Sequence, residues 1–216
     1  MKVCITLGPS YEPIDQVRCI TNFSTGTLGT LLANALTDER HEVTCFRSIM
    51  ATCSIPLKIK SKNIIPFSTT KVLQQQLQHF AKNNPQPDTF FHIAALSDFM
   101  LDSIGDEGRI KDFPGKIASS KDKLTLHFKA APKLIRNLRT LFPQTKIIGW
   151  KYEIDGDLKS CIEKGLSQIK ESKTDACVLN GTAYGQGFGL LHPDKQLEPF
   201  SDSSSLIERF KLFVTN

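Results

Sequence analysis

Ten residues, ITNFSTGTLG (20–29), hold the densest set of groups able to do chemistry. A carboxamide, Asn22, stands before two hydroxyls, Ser24 and Thr25, and two glycines, Gly26 and Gly29, where an amphipathic pattern begins. Hydroxyls and amides at a helix start can bind an anion, because the first N–H groups of a helix have no partner within it. The same residues can also serve only as a helix cap, with the glycines letting the helix pack closely on a strand. The segment is not the G-x-G-x-x-G dinucleotide fingerprint. The strand-like run after it ends in Phe46-Arg47, not in an acid for a ribose hydroxyl. A plain NAD enzyme is therefore disfavoured, while an NADP enzyme, with Arg47 meeting a 2′-phosphate, stays open.

These groups need elements to hold them, and the patterning supplies an alternation. KVCITL (2–7) is a β-rich opening strand ended by Gly8-Pro9, and Leu28, Leu31, Leu32, Ala35 and Leu36 mark a helix from about Gly26. EVTCF (42–46) and NIIPF (63–67) are the next strands, the second at an edge because of Pro66. Val72, Leu73, Leu77 and Phe80 mark a helix, and TFFHIAAL (89–96) is an apolar run suited to a central strand covered on both faces. A polar, Gly-rich loop leads to KLTLHFK (123–129), a half-exposed strand, and Pro132 is placed to open a helix carrying Leu134, Ile135, Leu138, Leu141 and Phe142. KIIGW (146–150), a helix near 157–172 and DACVL (175–179) continue the alternation. GLLH and QLEPF form a C-terminal hairpin, and a helix with Leu206, Ile207, Phe210 and Phe213 closes the chain. The fold class is α/β: one Rossmann-like domain over 1–216, with a doubly wound, mostly parallel sheet. Ligands of such sheets lie beyond the carboxyl ends of the strands, so the loops after Leu7, Ala95, Trp150 and Leu179 are the places to search.

Composition narrows the class. Hydrophobic content of 40% and charged content of 23% are ordinary for a globular domain, and no apolar run approaches the roughly 20 residues of a membrane span. The start MKVCITLGPS has no signal-peptide pattern, and a cytoplasmic protein is the expectation. Six cysteines lack CxxC or Cys/His spacing and most sit in apolar contexts, as reduced core thiols of a cytoplasmic protein would. The net charge of +5 is mild and unclustered; it suits small anionic substrates and not nucleic acid or membrane. Tyr11, Tyr152 and Tyr184 have no lysine four residues on, against a Tyr-x-x-x-Lys reductase.

Six segments in order carry a resemblance: ITNFSTGTLG, HIAALSDF (92–99), GKIASS (115–120), LTLHFKAAPKLI (124–135), IIGWKYEID (147–155) and ACVLN (176–180). Together, from Lys2 to about Asn180, the chain resembles phosphopantothenate–cysteine ligase, also called phosphopantothenoylcysteine synthetase. The resemblance implies a coenzyme A pathway enzyme that joins 4′-phosphopantothenate to cysteine with CTP, or ATP in eukaryotes. It implies Mg²⁺ carried with the triphosphate, no flavin, no tightly bound metal and a homodimer. Fused versions place a flavin-dependent decarboxylase ahead of this domain; a start directly at the ligase strand suggests a monofunctional form.

The resemblance also implies roles. Asn22 would hold the reacting carboxylate and then the acyl-nucleotide carbonyl. Ser24, Gly26 and Gly29 would form the phosphate-cradling helix start, and Ala94 and Ala95 would expose backbone to the substrate. Asp98 would stand near the nucleotide or metal, and Lys116 would be a mobile cation on a flap loop within 101–120. Pro132, Lys133, Leu134 and Ile135 would read the base edge, with Trp150 stacking on the base. Asn180 would lie near the nucleotide, and Lys170, or Lys164, would reach the phosphates. GPS stands in place of the family's Gly-Gly-Thr, so Pro9 removes an amide, and LNG replaces AND, so the acid after Asn180 is missing. WKYE is nearer the charged version of its motif. These departures bear on nucleotide choice more than on reaction class. An NADP-binding reductase and a non-catalytic homologue remain the alternatives.

Overall fold

A computed structural model describes residues 1–105, 115–117 and 123–215. The chain runs β1 (Lys2–Leu7), β2 (Tyr11–Pro13), β3 (Cys19–Thr21), α1 (Thr27–Asp38), β4 (Glu42–Ser48), β5 (Ile64–Phe67) and α2 (Thr70–Asn83). It continues through β6 (Thr89–His92), β7 (Phe99–Ile104), β8 (Leu126–Ala130), α3 (Ile135–Leu141), β9 (Lys146–Tyr152) and α4 (Leu158–Ser172). Then come β10 (Ala176–Asn180), β11 (Phe188–Leu191), β12 (Leu197–Phe200) and α5 (Ser203–Thr215).

The main sheet has the order β5-β4-β1-β6-β9-β10-β11-β12. From β5 to β10 every pairing is parallel, and the C-terminal hairpin adds two antiparallel strands. Pro66, which cannot donate to a ladder, sits on the outermost strand as its chemistry requires. Strand addition reverses between β1 and β6, and that reversal is the switch point where ligands of such sheets bind.

Period-two alternation divides the sheet between two cores. Val3, Ile5, Cys45, Phe91, Ile148 and Val178 pack under α1 and α5 on one face. Cys4, Phe46, Phe90 and Ile147 pack under α2 and α3 on the other, where α4 covers Cys177 and Leu179. Thr69 caps α2 by accepting from the Val72 amide at 3.2 Å, and Asp157 with Ser160 forms a capping box at the start of α4.

The structure differs from the sequence expectations in three places. The apolar run 89–96 is strand only to His92, and beyond it Ala95 makes an isolated parallel bridge with Pro9. The helix expected from Pro132 begins at Ile135. The strand expected at 123–129 is shorter and pairs outside the main sheet with β7, in a segment read as loop. Of the expected flap, Leu101–Ile104 belong to β7, Gly105 and residues 115–117 are also described, and the rest lies outside the described residues.

Candidate active site

The loops leaving β1 and β6 are laced together at the switch point. Ala95 N donates to Gly8 O, and Ser10 N donates to Ala95 O, each at 3.1 Å. Beneath them the buried Thr6 Oγ1 lies 2.8 Å from His92 Nδ1 and accepts from Ala94 N at 3.3 Å. Burial alone pushes His92 down to about 4, so the ring is neutral at pH 7 and can accept the Thr6 proton at Nδ1. Thr6, held by His92, thus fixes the Ala94 amide, while Gly8 and Ser10 hold the Ala95 backbone. Sequence reasoning passed over both; the available signal was a histidine and a threonine inside otherwise apolar strands.

The β2–β3 arm then delivers Asn22. Thr21 Oγ1 donates to Ser10 O at 2.8 Å, and Asn22 Nδ2 donates to Leu96 O at 3.0 Å. That bond sets the orientation of the carboxamide, leaving one N–H and Oδ1 without a partner among the described residues. Asn22, Ala94 and Ala95 are therefore brought together.

At the start of α1, Gly26 takes a left-handed backbone (φ 77°) and no side chain caps the helix. Thr25 Oγ1 instead lies 2.7 Å from Thr27 Oγ1, and the Leu28 and Gly29 amides meet no acceptor among the described residues. Both glycines are required by packing as well. A Cβ at Gly29 would lie 2.5 Å from Leu7 Cβ, and one at Gly26 would meet Ala51 Cβ and Leu7 Cδ1 at 3.2 Å. Helix and strand touch directly, and the helix start is held close over the strand end.

An open groove of about 730 Å³ runs over this helix start, lined among others by Asn22, Ser24, Gly26, Gly29, Ile93, Phe188 and Asn180. Asn180 Oδ1 is buried there without a hydrogen-bond partner among the described residues, the signature of an acceptor waiting for a donor. Arg47, the candidate for a 2′-phosphate, donates to Ala51 O at 3.3 Å. Asp98 forms an ion pair with Lys133, so these two predicted residues meet, both about half exposed. Leu134 is buried in the α2–α3 core, and Ile135 packs against it. Among the described residues no three His, Cys, Asp or Glu side chains cluster as metal ligands.

Four further predicted residues lie outside this groove. Trp150 packs on Phe210 of α5 (ring centroids 6.1 Å apart), on the sheet face opposite Leu134 and Ile135. Its parity with Ile148 fixes that side, so the ring does not join the 132–135 segment. Lys170 lies in the last turn of α4. Twelve residues beyond Leu158 at 1.5 Å each put it about 18 Å down a helix that starts at the ligand end of the sheet. Lys164 is tied to Glu153. Lys116 is exposed, next to Ile117, whose backbone meets the β2–β3 turn.

The comparisons with known proteins agree with this architecture. The model of the DNA/pantothenate metabolism flavoprotein C-terminal domain matches residues 1–204. The coenzyme A biosynthesis bifunctional protein CoaBC of Methanocaldococcus jannaschii is 30% identical over 179 residues, which are 83% of this chain and 40% of that protein. The CoaBC protein of Thermococcus kodakarensis is 27% identical, again over 83% of this chain and 41% of its own length. The chain thus spans about two-fifths of these relatives. Among solved structures, a DNA/pantothenate metabolism flavoprotein from Streptococcus pneumoniae matches with TM-score 0.83 at 21% identity, over 100% of this chain and 98% of that one. A Cab2 variant in complex with phosphopantothenate-cysteine matches with TM-score 0.75 at 19% identity, over 99% and 85%. These likenesses show a shared fold. With the whole parallel sheet and every groove-lining segment inside the matched span, the chain belongs to the family of the DNA/pantothenate metabolism flavoprotein C-terminal domain.

Proposed function

We propose that this domain is a phosphopantothenate–cysteine ligase of coenzyme A biosynthesis, with CTP as the preferred donor. The observation that carries the proposal is the Asn22 carboxamide, fixed on Leu96 O at the mouth of a groove that also holds helix-start amides with no acceptor among the described residues. A carboxylate resists nucleophilic substitution at its carbon because its charge repels nucleophiles and oxide is a poor leaving group. A carboxylate oxygen of 4′-phosphopantothenate attacks the α-phosphorus, the α–β bridging P–O bond breaks, and pyrophosphate leaves. The cysteine amine then attacks the acyl carbon, the nucleoside monophosphate departs, and the amine proton passes to water.

Asn22 keeps one N–H to give to the carboxylate and later to the acyl carbonyl. The Leu28 and Gly29 amides, with the positive end of α1, suit phosphate oxygens. Lys116 supplies a cation for developing phosphate charge. Asp98 is exposed and has one ion-pair partner among the described residues, which fits the one or two carboxylates by which Mg²⁺ is usually held beside nucleotide oxygens. That ion would neutralise triphosphate charge. A homodimer is supported by exposed apolar side chains on the two small hairpins, Val17 and Ile20 with Phe99 and Phe128. Six free thiols suit a reducing, cytoplasmic setting.

Pyrophosphate release measured with CTP, ATP, GTP and UTP tests the proposal. Release is expected only when phosphopantothenate and a triphosphate are both present. Inorganic phosphate in its place would point to an acyl-phosphate route and overturn the mechanism. A clear preference for ATP would overturn the donor alone.

A further inference from the structure

We propose that Asp15 is a positioning residue for Lys116, acting with Arg18 through a two-point grip on the backbone of Ile117. The inference rests on the role given above to Lys116 and adds the device that holds it.

Asp15 lies in the turn between β2 and β3 and is 4% exposed. Its two carboxylate oxygens do different work. Oδ1 closes the turn, accepting from the Val17 amide at 2.9 Å and the Arg18 amide at 2.8 Å. Oδ2 accepts from Arg18 Nε at 2.9 Å and from its Nη2, and then from the Ile117 amide at 3.1 Å, across 102 positions of sequence. Arg18 Nη2 in turn donates to Ile117 O at 2.9 Å. One ion pair thus satisfies both backbone groups of a single distant residue, as an adjacent strand would.

The turn itself needs only Oδ1. A structural carboxylate serving the hairpin alone would have no use for Ile117, and an arginine held only as a counter-charge would not reach the Ile117 carbonyl. The guanidinium beside Asp15 holds its carboxyl well below the usual carboxylate range, so the grip is charged throughout the neutral range. Its placement gives it a purpose. Arg18 and Asn22 are four residues apart on one arm, about 13 Å at strand rise. The arm is bonded to Ser10 through Thr21 and to Leu96 through Asn22. Lys116, one residue before the gripped position, is therefore referenced to the same rigid piece that presents Asn22. A flexible lysine beside a fixed peptide has far less space to search than one on a free loop, and positioning of this kind acts on turnover more than on substrate affinity.

Asp15→Asn separates the two jobs, because the amide keeps one acceptor oxygen for the turn and replaces Oδ2 with an NH₂ that cannot accept from Ile117. In the full-length protein, kcat for pyrophosphate release is expected to fall about 10- to 100-fold, with KM for cysteine within about twofold of wild type. In a Lys116→Gln background the same substitution is expected to change kcat by less than about twofold, since both act on one interaction. A protease that cuts after lysine is expected to cleave the ligand-free Asp15→Asn protein at Lys116 at least about tenfold faster than wild type. If Asp15→Asn does not fold, Ile117→Pro removes the same donor from the other side and is expected to show the same fall in kcat, its loop opening being read with a protease of broad specificity because a lysine–proline bond resists cleavage after lysine. Losses that multiply in the double variant, or unchanged cleavage at Lys116, would overturn the proposal. If wild type releases no pyrophosphate, the ligase assignment fails, and the cleavage comparison still decides whether the grip exists.

Discussion

Gly29→Ala asks whether direct contact between α1 and β1 is what places the helix start over the groove. An added Cβ would sit 2.5 Å from Leu7 Cβ, whereas contacting carbons prefer about 3.5–4.0 Å. Both atoms are short and bonded to backbone, so no side chain can rotate away, and the first turn of α1 must move by about 1 Å. Overpacking of this kind costs about 1–3 kcal/mol. Alanine's better helix propensity returns about 1 kcal/mol, leaving a net loss of about 0–2 kcal/mol. At roughly 2–4 °C per kcal/mol for a domain of this size, the melting temperature should fall by no more than about 8 °C. Activity should suffer far more. The amides of Leu28 and Gly29 travel with the turn, and a misplacement of about 1 Å in a positioned group can cost 10²-fold in kcat/KM. Thermal melts and pyrophosphate release at varied CTP give both numbers. Normal kcat/KM per folded molecule, with lowered stability, would show that the helix start binds no phosphate. Unchanged stability and unchanged kcat/KM would show that the Leu7 contact is not tight in solution.

Asn22→Asp removes the donor to Leu96 O and sets a negative charge against the substrate carboxylate, a repulsion of about 4 kcal/mol at 4 Å and an effective dielectric near 20. Catalysis should drop at least 10²-fold with the melting temperature nearly unchanged; a large stability loss with normal residual turnover per folded molecule would make Asn22 a structural tie only. His92 is neutral in the fold, with a pKa near 4 against 6.5 for the free side chain, so the unfolded chain binds the extra proton and stability falls as pH drops through that window. Between pH 7.5 and 5 the loss amounts to about 2 kcal/mol from this residue, readable as the difference between wild type and His92→Gln in urea titrations. Identical pH profiles for the two proteins would refute the buried neutral assignment.

The parallel sheet was legible because its strands are apolar runs with turn residues at their ends, and Pro66 named its own place at an edge. The small hairpins were not. Three-residue strands such as Tyr11–Pro13 carry no period to detect, and Phe99–Ile104 is a strand only because Leu126–Ala130 lies against it, with a bulge between Leu101 and Ser103. Residue types at the site were readable at Asn22, Gly26 and Asn180, but their partners were not. Nothing local in the sequence says that Asn22 meets Leu96 O or that Asp15 meets Ile117. Lys170 was a different kind of miss. A helix leaving the carboxyl end of one parallel strand must run back toward the amino end of the next, so its last turn points away from the ligand side.

The same geometry explains why the site is divided. Leaving β6, Ile93 packs toward the α1–α5 core, whereas Ala94 and Leu96 pack toward the α2–α3 core, so this loop crosses the crest of the sheet. Asn22 and the start of α1 stand with the groove, and Asp98 with Lys133 stands at the entry to α3. Ala94, braced from below by Thr6 and His92, and Ala95, held by Gly8 and Ser10, join the two sides with side chains too small to obstruct. A reaction in which a carboxylate meets a triphosphate is served by such an arrangement, with the donors of Asn22 and the α1 start in the groove, Asp98 and Lys133 beyond the crest, and bare backbone between them. On the proposed chemistry the crest at Ala94–Ala95 is where the α-phosphorus and the carboxylate would come together. A larger side chain at Ala95 would then block the meeting while leaving each partner's own donors in place.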